Sequence, residues 1–242
     1  MKEIFEKSSN ENQIKIAVMQ PYLLPYIGYF QLINAVDKFV IYDDVNYIKG
    51  GWINRNRYIV NKVPHLITLN LKNQSSFRLI NEIEIGDNSK KILKTIDLSY
   101  HKAPYFETIF PLVQDIFLYS EKNLTKFITN SIQCILRILE IDTDIILSST
   151  FSAVKDLKRS DRLFFLCKNL EARIYINSIG GRDIYTKEEF SKKGIQLFFL
   201  KTHEIKYNQF NSNFFPGLSI IDVMMFNPIK DIMTMLNQYE LV

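Results

Sequence analysis

Two adjacent acids, Asp43 and Asp44, open the stretch DDVNYIKGGWINRNR, which also holds Tyr47, the chain's single tryptophan Trp52, and the run Asn54, Arg55, Asn56. Paired carboxylates can bind a metal, accept the hydroxyls of a sugar, or orient an amine as general base. Trp52 with Tyr22 and Tyr47 could form a flat apolar wall for a sugar ring or a nucleobase. Arg55 could pair a phosphate or carboxylate through two parallel hydrogen bonds. Upstream, QPYLLPYIGY gathers Gln20, Tyr22, Tyr26, Gly28 and Tyr29 at a corner whose helix N-terminus could take a phosphate, with Gly28 permitting close approach. Downstream, NSIGGRDIY supplies Asn177, Gly180, Gly181 and Tyr185, and its paired glycines could bring bare backbone against a ligand. His101, in SYHKAPYF, is a polar imidazole that could move a proton.

Each candidate has a plainer reading beside it. Tyrosines at a corner also serve as packing residues with satisfied hydroxyls. Two acids at a strand end also make a solvated turn or a helix cap. Paired glycines also form turns. The methionines of VMMF and MTML read as core filler.

The elements that must position these residues follow from periodicity. IKIAVM at 14–19 predicts a buried strand. Ile27, Phe30, Ile33 and Val36 predict a helix of about three turns. KFVIYDD at 38–44 predicts a second strand, parallel to the first by a right-handed crossover. In the second half, strands at 144–149, 172–177 and 195–200 alternate with helices from about Ser160 and over TKEEFSKK. Between the halves, RYIV and HLITLNL predict an antiparallel pair joined at NKVP, and helices follow over roughly 88–99, 106–118 and 123–140. Asn227 and Pro228 predict an N-cap and first-turn proline for a last helix. The expectation is an α/β fold, an open parallel sheet with a helical insertion. A loose tail over 1–13 precedes a single domain over 14–242, with the mixed insertion at about 57–140. Ligands of such sheets bind at the carboxyl ends of the strands. Most of the unusual stretches follow strands, so they should meet on one edge and enclose one hollow.

Composition narrows the classes. The net charge of +4, from 30 basic and 26 acidic residues, is too mild for a nucleic-acid binder, and KDLKRSDR and NRNR are short, interrupted basic runs. No apolar run approaches the ~18 residues of a membrane span. The polar start MKEIFEKSSNENQ lacks an apolar signal core, so a cytoplasmic location is expected. Cys134 and Cys167 fall in apolar helical patterns and read as buried thiols. Three histidines and no Cys/His pair at ligand spacing leave no zinc site.

The segment MQPYLLPYIGYFQLINAVDKFVIYDDVNYIKGGWINRNR resembles the WbqC-like family of bacterial proteins, and SYHKAPYF, NSIGGRDIY and LSIIDVMMFNP extend the likeness more loosely along most of the chain. That resemblance implies a role in surface-polysaccharide assembly, notably O-antigen. The implied chemistry is decoration of an amino sugar, with attachment of glycine to a 4-amino-4,6-dideoxy sugar as one candidate. The strand–PYIGY–helix corner is also similar to the HIGH-motif corner of nucleotidylyltransferases and pantothenate synthetase, which binds ATP. This chain departs from it with Tyr26 and Tyr29 where the two histidines would stand. A tyrosine is neutral at pH 7, so activity is put in doubt more than fold.

The leading expectation is transfer of an aminoacyl or acyl group to the amine of a nucleotide-linked amino sugar. The corner and Arg55 would hold phosphates, the aromatic residues would flank the sugar or base, and Asp44 or His101 would accept the amine's proton. The donor is left open: ATP with an acid, another acyl donor, or a charged aminoacyl-tRNA. The alternatives are an ATP-using adenylyl- or nucleotidyltransferase and a non-catalytic sugar-nucleotide-binding module.

Overall fold

The computed structural model describes residues 13–151, 157, 159–210 and 213–242. The expected tail over 1–13 lies outside the described residues except for Gln13, and part of KDLKRSDR does too.

The first apolar run forms β1 (Lys15–Met19), whose Ile16, Ala17 and Val18 are all buried. Alternate side chains of one strand point to opposite faces. Ala17 therefore packs with Phe39 and Ile41 on one side, while Ile16 and Val18 pack with Val40, Tyr175 and Phe199 on the other. A sheet covered on both faces needs such continuous apolar strands.

After β1 come α1 (Ile27–Asn34) and β2 (Lys38–Ile41), which pairs parallel with β1 in the register Ile16↔Lys38. The helix is two turns, not the three expected. Asp37 cuts it short: its amide donates to the Lys15 carbonyl and its carboxylate accepts from the Lys15 amide, so the chain is already committed to the sheet. The insertion follows: the hairpin β3 (Arg55–Val60) and β4 (Val63–Thr68), the short pair β5 (Leu71–Lys72) and β6 (Glu84–Ile85), then α2 (Ser89–Tyr100), α3 (Phe106–Leu118) and α4 (Leu124–Ile138). The hairpin turn is only Asn61 and Lys62, both at positive φ, with Val63 and Pro64 already in register with β3.

The chain then returns to the sheet through β7 (Asp144–Leu147), α5 (Arg159–Asn169), β8 (Ile174–Ser178), α6 (Lys187–Ser191) and β9 (Gln196–Thr202). α7 (Ile220–Phe226), α8 (Ile229–Met235) and β10 (Tyr239–Leu241) complete it. Two of these were not expected, α7 and the antiparallel edge strand β10. Asn227 is not the N-cap of α8 but ends α7, its side chain donating to the Val223 carbonyl, and Pro228 is the N-cap instead.

The sheet runs β10-β9-β8-β1-β2-β7, parallel throughout except for β10. Its parallel part has the strand order of doubly wound nucleotide-binding sheets, which reverses direction beside the first strand. The fold is thus mixed α/β with a largely parallel central sheet and, among the described residues, eight helices. One core cluster joins α1, the insertion helices, α7 and α8 to one face; α5 and Phe190 of α6 cover the other.

Candidate functional site

The order reverses between β1 and β8, so the crevice lies past Met19 and Ser178. Past β1 the chain turns through Leu24, a buried residue at φ 42°. A left-handed backbone at a leucine costs roughly 1–3 kcal/mol and persists only where its surroundings hold it. Here they do. Asn56 Nδ2 donates to the carbonyls of Leu23 (3.1 Å) and Leu24 (2.7 Å), and Ser219 Oγ donates to the Leu24 carbonyl at 2.7 Å. The Ile220 amide donates to the Pro25 carbonyl, and the Ser219 amide to that of Arg57. Corner, hairpin and the start of α7 are therefore clasped together.

That clasp frames a cavity of about 260 Å³ lined by Tyr22, Pro25, Tyr26, Trp52, Asn56, Arg57 and Gly217. Trp52 is 43% exposed and Tyr26 40%, so both present ring surface to solvent. The Arg57 guanidinium lies 5.9 Å from the Trp52 ring centroid and donates to the Gly217 carbonyl at 3.2 Å. Burial pushes the phenols of Tyr22 and Tyr26 up, and a hydrogen bond with the Thr202 side chain at the end of β9 partly opposes this for Tyr26. Both stay protonated at neutral pH, as hydrogen-bond donors and not bases.

Gly28 does not offer its backbone to a phosphate. A Cβ there would lie 2.4–2.6 Å from the Tyr26 ring, so the tyrosine already fills that space. Nor is Tyr29 free to replace a phosphate-binding histidine. It is 2% exposed, its hydroxyl donates to the Gln20 carbonyl at 2.9 Å, and its ring packs 5.7 Å from Tyr22 and 5.2 Å from Phe39. Gln20 thus enters through its backbone.

The other candidates go elsewhere. Tyr47, Asn54 and Arg55 line a second, polar cavity of about 320 Å³. Tyr47 donates to Asn54 Oδ1 at 2.8 Å, and Asn54 Nδ2 to the Leu69 carbonyl at 2.7 Å. Arg55 spends its guanidinium on the carbonyls of Gly50 and Gly51.

Asp43 and Asp44 are buried. Asp43 accepts from the Ser149 amide (3.0 Å), Ser149 Oγ (2.8 Å) and Asn81 Nδ2 (3.3 Å). Asp44 pairs with Arg162 of α5 (Nη2 to Oδ2, 2.6 Å) and accepts a short hydrogen bond from Ser148. The Arg162 guanidinium also covers the Tyr42 ring at 4.8 Å. Both carboxylate oxygens of Asp44 are therefore already engaged inside the protein.

Past β8, Asn177 folds over Gly181, where a Cβ would come within 2.4 Å of its Nδ2, and its Oδ1 accepts from the Ser178 amide. Gly180 has open space around it. Tyr185 packs its ring 5.9 Å from Phe190, beneath that turn. His101 caps the end of α2 in the insertion, exposed, with Nδ1 against the Leu98 carbonyl of its own helix.

The expectation of a single shared hollow is therefore corrected. Tyr22, Tyr26, Trp52 and Asn56 come together; Tyr47, Asn54 and Arg55 form another group; Asp43 and Asp44 lie inside; His101 belongs to neither cavity. Sequence reasoning gave no site role to Arg57, Arg162, Ser148 or Ser219, although Arg57 stands in NRNR, Arg162 in KDLKRSDR and Ser148 in SST at the end of a strand; tertiary contacts give them their partners. Among the described residues, no group of three or more His, Cys, Asp or Glu is placed to hold a metal ion, and no helix is long and apolar enough to cross a membrane.

An uncharacterized protein of Mycobacterium tuberculosis is 28% identical over 215 residues, spanning 87% of this chain and 92% of that relative. No solved structure matches the chain. The profile of the WbqC-like protein family matches residues 20–234, and the chain belongs to that family.

Proposed function

We propose that the protein binds a nucleotide-linked amino sugar at the corner cavity and transfers an acyl or aminoacyl group to its amine, as a step in surface-glycan synthesis. The observation that carries this reading is the aromatic cavity itself, just past the end of β1, with one cation at its rim. About 260 Å³ is below the 300–1,000 Å³ of pockets that enclose drug-sized ligands. It suits one ring, sugar or base, with the remainder lying across the rim toward Arg57. Flat faces of Tyr22 and Trp52 match the C–H face of a sugar. The Arg57 guanidinium, half-engaged by Gly217, keeps donors for a diphosphate.

In the transfer the amine nitrogen forms a bond to the acyl carbon and the carbon–oxygen bond to the leaving group breaks. With Asp44 clamped, the amine's proton passes to the departing oxygen of an acyl-adenylate or aminoacyl ester. The test is incubation of the full chain with a dTDP-linked 4-amino sugar plus ATP and glycine, or with glycyl-tRNA, followed by product mass. A product heavier by one acyl residue is expected. No product with any amino-sugar nucleotide or donor, together with no change in Trp52 fluorescence on adding them, overturns the reading.

A further inference from the structure

The cavity at the opposite edge of the sheet has a different character. It measures about 540 Å³, twice the corner cavity, and sits where α5 ends and where β8 and β9 begin. Its floor is apolar: Cys167, Ala172 and Ile195 are all buried. Half-buried Phe164 and Phe165 form its wall. Its rim is cationic, with exposed Lys168, Arg173 and Lys193 against the single acid Glu171.

Among the described residues none of those three cations forms an ion pair. Lys193 instead stands 5.6 Å from the centroid of the Phe164 ring. Three of the last four carbonyl groups of α5, those of Leu166, Cys167 and Lys168, are already engaged, accepting from the amides of Leu170, Ala172 and Glu171. An excess of two positive charges around an apolar, aromatic basin is complementary to a molecule with a flat ring and several negative charges. An inorganic anion would leave the basin unused, and a single long chain would leave the cations unused.

We propose that this cavity is a second ligand site, separate from the corner cavity, which takes a nucleoside phosphate with its base against the phenylalanine wall and its phosphates among Lys168, Arg173 and Lys193. The proposal does not rest on the transfer reading, and the single tryptophan separates the two. Trp52 lines the corner cavity, so a ligand there changes its emission, while a ligand between α5, β8 and β9 does not.

The experiment is equilibrium dialysis of the full chain against radiolabelled ADP, with Trp52 fluorescence followed in parallel. Saturable binding that persists in Trp52→Ala is expected. It should weaken at least tenfold in a Lys168→Glu/Arg173→Glu/Lys193→Glu variant, and with rising salt. Because the three side chains are exposed, the variant should fold; Lys193→Glu alone, with a several-fold loss, serves if it does not. Binding of ADP unaffected by charge reversal, binding lost with Trp52→Ala, or no saturable binding at all overturns the proposal.

Discussion

Asn56 is a substrate-binding candidate by sequence and a positioning residue by structure, and the two roles differ in what its removal does. In Asn56→Ala, three backbone groups change. The Leu23 carbonyl loses its side-chain donor and the Arg57 amide loses the Oδ1 that accepts from it at 2.8 Å, whereas the Leu24 carbonyl keeps Ser219. The buried Leu23 carbonyl left unsatisfied costs about 1–3 kcal/mol and the half-buried Arg57 amide less, so a loss of roughly 1–4 kcal/mol is expected. Native domains hold about 5–15 kcal/mol, so the variant still folds. Leu24 then has less to keep it at φ 42°, and the corner relaxes with the cavity it frames. Urea titration measures the first effect as a lower midpoint at unchanged slope. Quenching of Trp52 by an amino-sugar nucleotide measures the second. Asn56→Asp gives the ordering: it keeps an acceptor for Arg57 but sets a carboxylate against two carbonyls, and should be worse than alanine. A loss below about 0.5 kcal/mol for Asn56→Ala, or an aspartate better tolerated than alanine, would refute the clasp.

Two further predictions concern buried charge. Arg162→Met strands Asp44 without its guanidinium in the interior and should cost about 3–5 kcal/mol, most of it recovered in Arg162→Met/Asp44→Asn; equal damage in single and double variants would show that the pair is not the cause. Asp222 lies fully buried and, among the described residues, forms no ion pair; it accepts from Tyr100 (2.8 Å), Tyr207 (2.6 Å) and Gln209 (2.8 Å), and burial pushes its carboxyl above the usual range while those donors oppose the shift. The folded state therefore holds this proton more tightly than the unfolded chain, so stability attributable to Asp222 rises as pH falls from 7 through its raised value and levels off below about 3.8. Urea titrations of the wild type and Asp222→Asn at several pH values measure this as a difference moving in the wild type's favour toward acid; a constant difference would sink it.

The parallel strands were legible because a doubly covered sheet demands unbroken apolar runs, and β1, β2, β8 and β9 have them. The insertion helices were legible because each is amphipathic. What escaped was decided by long-range contacts. Asn227 beside Pro228 has the local chemistry of an N-cap, but Val223 lies one turn upstream and takes its side chain. β10 is only three residues at an edge, Tyr239, Glu240 and Leu241, too short to carry a periodic pattern, and exists because Thr202, Lys201 and Leu200 are there to pair with it.

The site was half legible for a related reason. Chemistry-rich residues do follow the strands, and Tyr22, Tyr26 and Trp52 line one cavity. It fails between Gly50 and Arg57, where one segment runs between two cavities and lines both: Trp52, Asn56 and Arg57 one, Gly50, Asn54 and Arg55 the other. Composition counts such residues together, but geometry divides them. The paired acids fail differently. Two carboxylates at a strand end look catalytic when their partners are unknown, yet Ser148 and Ser149 arrive from about a hundred residues away and Arg162 from a different helix. The arginines make the same point in reverse: Arg55, chosen from its neighbours in sequence, is consumed by backbone carbonyls four and five residues upstream, while Arg57, two residues on, keeps part of its guanidinium over the tryptophan. A side chain's availability depends on what already holds it, so the residues able to act on a ligand here are those the fold leaves underemployed at the rim.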